Sequence, residues 1–99
     1  MRITAKTAAK ADTYRLQRIT TSEELEMKMM HNDGVVITFG DRILIAGYYY
    51  RPDGNCYYAA IYRFTTADHT IEGKVELVKI SDDSFIDNGH AIAWAMSQK

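Results

Sequence analysis

The sequence predicts an α+β domain: an antiparallel meander of four to five strands with two helices, in the order β-α-β-β-β-β-α. Three observations carry that expectation. Two apolar, Tyr-rich runs, 42–51 and 55–65, flank Pro52-Asp53-Gly54. Pro fixes φ at the first turn position, Asp suits the second, and Gly supplies a left-handed residue. A third run, Val35–Phe39, meets the first through Gly40-Asp41, and Gly in the first central position is what a type II′ hairpin turn requires. Helix-start signals stand on both sides of this strand-rich centre, at Thr21 and at Asp82, Ser84 and Asp87.

Taken in order, residues 1–12 read as an arm, mobile or paired to an edge of the sheet; 1–6 suit a short strand and 8–11 a helical turn. Residues 13–20 suit a strand, with Tyr14 and Leu16 on one side and Arg15 and Gln17 on the other. Thr21 followed by Glu24 is a capping-box pattern, in which each side chain satisfies a backbone donor of the other. That helix is expected to run to about Asn32 and stop at Asp33-Gly34. In 70–80, Glu72, Lys74 and Glu76 alternate with Ile71, Val75 and Leu77, so one face is wet, and Gly73 is the expected site of a bulge. A last helix falls within 83–98, with an apolar stripe of Phe85, Ile86, Gly89, Ile92, Ala93 and Met96.

If Gly54 is a bulge residue, the central register follows. Tyr50 meets Cys56, Tyr48 meets Tyr58, Ala46 meets Ala60 and Leu44 meets Tyr62. On the opposite face Tyr49 meets Tyr57, Gly47 meets Ala59 and Ile45 meets Ile61. Both faces are then apolar or aromatic, whereas a sheet with one wet face alternates. Two arrangements satisfy this: one helix on each face, or both helices on one face with the other closed by a partner or a second copy. Met27 and Met30 widen the apolar arc of the first helix, and Trp94 lies off the stripe of the last.

Composition bounds the function. The 99 residues are 46% apolar and 25% charged, which suits a single domain over 1–99. The net charge of −1 supplies no bulk field toward nucleic acid or membrane. Charge is uneven, however: residues 1–18 hold five Lys and Arg against Asp12. No leader or long apolar run is visible, so a soluble cytoplasmic protein is expected. Cys56 is the single cysteine, and the pairs His31/Asp33, Asp68/His69 and Asp87/His90 lack zinc-ligand spacing. No metal, no cofactor and no catalytic residue is expected, and no Gly-rich phosphate loop opens a helix.

One segment, Asp53-Gly54-Asn55-Cys56-Tyr57-Tyr58-Ala59-Ala60-Ile61, resembles the nucleophile segment of the OTU cysteine proteases, the ovarian-tumour deubiquitinases. The resemblance covers these nine residues. It implies Cys56 as nucleophile, nearby backbone amides as an oxyanion site, and a helix that opens at the cysteine. In that family a His near the domain's end, followed by an aromatic, activates the cysteine; here His90 is followed by Ala91.

The leading expectation is a non-enzymatic protein-interaction module, homodimeric, that presents a Tyr-rich sheet surface, in the manner of a small inhibitor, immunity or anti-defence protein. The expected contact residues are Tyr48, Tyr49, Tyr50, Tyr57, Tyr58 and Tyr62, with Trp94, Met27 and Met30 at the margin. Tyr and Trp suit interfaces because they bury much area with few torsions. The alternatives are single-stranded nucleic acid stacked on the same tyrosines with help from Arg42 and the basic arm, a small molecule between sheet and helix, or OTU-like proteolysis through Cys56.

Overall fold

The computed structural model describes residues 18–30, 34–48, 52–65 and 73–98. The expectations for 1–12 and for most of 13–20 lie outside these. Among the described residues, β1 (Ile19–Thr21), β2 (Val35–Phe39), β3 (Arg42–Tyr48), β4 (Tyr57–Phe64) and β5 (Lys74–Ile80) form one antiparallel sheet, ordered β1-β5-β4-β3-β2. Two helices, α1 (Ser22–Met30) and α2 (Asn88–Ser97), complete the expected β-α-β-β-β-β-α order.

Local chemistry sets the boundaries. Thr21 Oγ1 accepts from the Glu24 backbone N–H at 3.2 Å, while the Glu24 carboxylate accepts from Thr20 Oγ1 at 2.8 Å. The cap is therefore half a capping box, with Thr20 taking the place of the backbone donor. Gly40 and Gly54 have φ of +63° and +84°, as the two turns require. Asp53 Oδ1 accepts from the Asn55 N–H at 2.9 Å, an Asx turn that orders the tip beside Gly54.

The central register differs from the expected one by a single residue. Tyr48 opposes Tyr57, Gly47 opposes Tyr58, Ala46 opposes Ala59 and Leu44 opposes Ile61. Tyr48 and Tyr57 are the last pair before the turn among the described residues, and 49–51 lie outside these. Packing explains the pairing. The Tyr58 ring lies where a Cβ on residue 47 would stand, 2.1 Å from Tyr58 Cζ, so only glycine fits opposite it. A one-residue slip changes which side chains share a face, and the grouping of tyrosines changes with it. The bulge also moves. It lies at Val78 rather than Gly73, because Ile61 opposes Lys79 while Tyr62 opposes Leu77. The extra residue brings Val75, Leu77 and Ile80 onto one face.

Each helix covers one face. On one, Leu25 and Met29 of α1 pack with Ile43, Ile45, Tyr58 and Tyr62. On the other, Ala91, Ile92 and Ala95 of α2 pack with Leu44, Ala46, Ala59 and Ile61. The arrangement with both helices on one face does not occur. The expected stripe of α2 is corrected as well: Ile86, Ala93 and Met96 are exposed, and the buried side is Ala91, Ile92 and Ala95. Alanines on helix and sheet allow a close approach, which a stripe drawn from bulky residues overlooks. Ser81, fully buried, fastens the turn into α2: its Oγ accepts from the Ala59 N–H at 3.0 Å and donates to the Asp83 carbonyl at 2.8 Å, so its polar group is satisfied.

Candidate functional site

The site follows from where α2 begins and ends. Asp87 caps it, accepting from the His90 backbone N–H at 2.8 Å, and lies 2.7 Å from His90 Nδ1. The backbone bond, then the imidazole contact, hold the Asp87 carboxyl below its ordinary range. The last turn of α2 carries no basic residue, and the sheet supplies the cations that its negative end favours. Arg42 Nη1 donates to the Gln98 carbonyl at 2.8 Å and Lys79 Nζ donates to Gln98 Oε1 at 2.8 Å. Lys79 Nζ also stands 5.5 Å from the Trp94 ring centroid, and Trp94 lies 6.2 Å from Phe85.

Past that end the sheet continues with no helix over it among the described residues. Ile19 opposes Glu76, Glu76 opposes Arg63, Arg63 opposes Arg42, and Arg42 opposes Phe39. Directly opposed residues share a face, and the Arg42 bond to Gln98 fixes this face as that of α2. The row crosses all five strands, about 19 Å at roughly 4.8 Å per spacing. Its apolar ends are open, with Ile19 53% and Phe39 47% exposed. Arg18 joins it through Glu76 at 4.0 Å, and Asp41 lies 3.8 Å from Arg63. Ion pairs this long and this exposed contribute between zero and about 1 kcal/mol, so the guanidinium groups can exchange partners at little cost. An open groove of about 560 Å³ lies where β4 and β5 carry the row, lined by Arg63, Phe64, Thr65, Glu76, Leu77 and Val78.

The expected contact residues do not gather in one surface. Tyr58 and Tyr62 have no exposure; they fill the core beneath α1, and burial pushes the Tyr62 phenol far above its ordinary value. Both are corrected from surface to core, because the observed register turns them toward Leu25 and Met29. Tyr48 is exposed and meets the half-buried Tyr57 edge-on at 5.5 Å. This pair sits at the opposite end of the sheet from the arginine row. Trp94 is half-buried against the α2 face, whereas Met27 and Met30 are exposed on α1, across the sheet from it. Tyr49 and Tyr50 lie outside the described residues.

Cys56 is half-buried immediately before β4, and 57–64 is a strand. The helix that the OTU resemblance implies at the cysteine is not formed there. Among the described residues, no three His, Cys, Asp or Glu side chains gather as a metal site would require, and no helix is long and apolar enough to cross a membrane. Sequence reasoning counted Arg18 in the basic arm but missed Arg63, Glu76 and Phe39. The signal was the pairing of Arg42 with Arg63, which the one-residue slip concealed.

Residues 16–99 match the family described as Nucleotide modification associated domain 4. No curated protein and no solved structure matches the chain. The match spans most of the sequence, so the chain belongs to that family.

Proposed function

We propose, with this membership as the premise, that the domain is a non-enzymatic accessory of nucleotide modification and that it holds a single strand of nucleic acid on the arginine row. The uncovered row itself carries the reading. Arg18, Arg42 and Arg63 supply phosphate contacts, and the exposed ring of Phe39 supplies a stacking surface that tolerates any base. Arg18, beside β1, stands at one end of the row through its contact with Glu76. The surface is used differently from the expected tyrosine platform, since Tyr58 and Tyr62 are in the core.

The overall charge of −1 keeps such binding modest and dependent on salt. Three phosphate contacts on a single strand give a log-log slope near −2, or roughly a twentyfold loss between about 50 and 200 mM salt. Fluorescence anisotropy with a labelled oligothymidylate measures this. Arg18→Glu with Arg63→Glu is expected to abolish binding at low salt while leaving the melting temperature nearly unchanged. Equal binding by the double variant, or none by the wild type at low salt, rejects the proposal.

A second copy of the chain is the protein partner that the sheet fits best. Both faces of the central hairpin carry helices, so the homodimer forms at a sheet edge rather than on the tyrosines.

A further inference from the structure

The sheet ends in two edges of different character. β1 is three residues long, starts beside Arg18 and passes directly into α1. An edge so short and so flanked is poorly suited to template another strand. β2 is five residues, Val35-Val36-Ile37-Thr38-Phe39, with no charge, proline or glycine. Among the described residues nothing pairs with its outer side. Natural sheets shield such an edge with lysine, proline, a bulge or a covering element, and β2 carries none of the sequence devices. Ile37 and Phe39 are 40% and 47% exposed on its α2 side. The head of β2 lies by the end of α1, where the Met29 carbonyl accepts from the Gly34 N–H at 2.9 Å just before Val35.

We infer that a second copy of this chain adds to β2, strand against antiparallel strand, about a two-fold axis normal to the sheet near Ile37. The inference rests on the homodimer reading; it shares Phe39 with the nucleic-acid reading and leaves the three arginines of the row outside the seam. β2 suits its own copy for a definite reason. With Ile37 facing the partner's Ile37, Val35 opposes the partner's Phe39 and Val36 opposes the partner's Thr38. No like charges meet at any position, and Phe39 gains a β-branched cross-strand neighbour, a favoured pairing. A strand pair alone falls short of the roughly 1,000 Å² that a stable interface needs; the exposed Ile37 and Phe39 of each copy add apolar area. The axis keeps both α2 helices on one side of a continuous sheet, so the two arginine rows face the same way.

The test uses the position on the axis. Light scattering on the full chain is expected to report a dimer, and Ile37→Lys and Ile37→Glu are each expected to report monomers with unchanged circular dichroism. Mixing the two variants is expected to restore the dimer, because residue 37 then faces its opposite charge. A wild-type monomer at the highest soluble concentration rejects both the homodimer and the edge, and leaves a segment of the same chain as the covering element. A dimer that persists in Ile37→Lys keeps the homodimer and rejects β2 as its site. Monomeric variants that do not recombine reject the two-fold register.

Discussion

The two faces of this sheet are closed by helices of nearly equal length, nine and ten residues, yet one face is sealed and the other is not. The contrast is sharpest at the end where β4 and β5 carry adjacent residues to opposite sides. Toward α1, Phe64 and Val75 are buried beside Leu25. Toward α2, Arg63 and Glu76 lie open. Side-chain size accounts for the difference. The α1 face is filled by Tyr58, Tyr62, Leu25 and Met29, whose reach extends cover beyond the helix itself. The α2 face is built largely from Ala46, Ala59, Ala91 and Ala95, so the helix lies close and its cover is narrow. A small-residue interface leaves neighbouring sheet surface free for polar side chains, and three arginines reach it.

Four substitutions and a titration challenge that contrast, in descending order of expected effect, with Met96→Ala as the control beside Ala95→Leu. Gly47→Ala strikes the sealed face directly. Its methyl group would collide with the Tyr58 ring, and overpacking of this severity is expected to cost about 3 kcal/mol or more. Urea denaturation reads it as a large fall in midpoint; a small fall would mean that the ring can leave its place over residue 47. On the α2 face, Ala95→Leu is expected to cost about 1–3 kcal/mol by pushing the helix off the sheet, whereas Met96→Ala is expected to stay within about 0.5 kcal/mol. The reverse ranking in thermal denaturation would restore the stripe drawn from bulky residues.

Gly54→Val probes the tip, away from both faces. Its positive φ is strained for a β-branched side chain, at about 1–3 kcal/mol, and unchanged stability would show that the tip takes another conformation. The smallest effect concerns Asp87. Its carboxyl is held below the ordinary range in the folded chain, so its support of α2 is complete above the unfolded aspartate value and fades as pH falls through the folded one. The melting-temperature gap between wild type and Asp87→Ala should therefore narrow in acid; a gap constant with pH would mean that the cap does not depend on ionisation.

Features decided by neighbours in sequence were legible. Thr21 with Glu24, Gly40 and Gly54 all depend on a few adjacent residues, and the order of elements followed from them, whereas Asp82, Ser84 and Asp87 stood as equal candidates for the second cap and only the structure selects Asp87. Features decided by contacts across the sheet were not. The register turned on the fit of the Tyr58 ring over Gly47, which no turn rule contains. The buried side of α2 turned on alanines, which a search for large apolar residues passes over. The arginine row needed both, because only the observed register sets Arg42 beside Arg63 and only a narrow α2 leaves them uncovered.

The most direct test of the open row is a titration of isotope-labelled protein with a short oligothymidylate at low salt, followed by NMR amide shifts. The expected changes fall on Ile19, Phe39, Arg42, Arg63 and Glu76, while Leu25, Met29 and the other α1-face residues stay still. Changes centred on Tyr48 and Tyr57, changes centred on α1, or no changes at all would contradict the assignment of nucleic acid to that row.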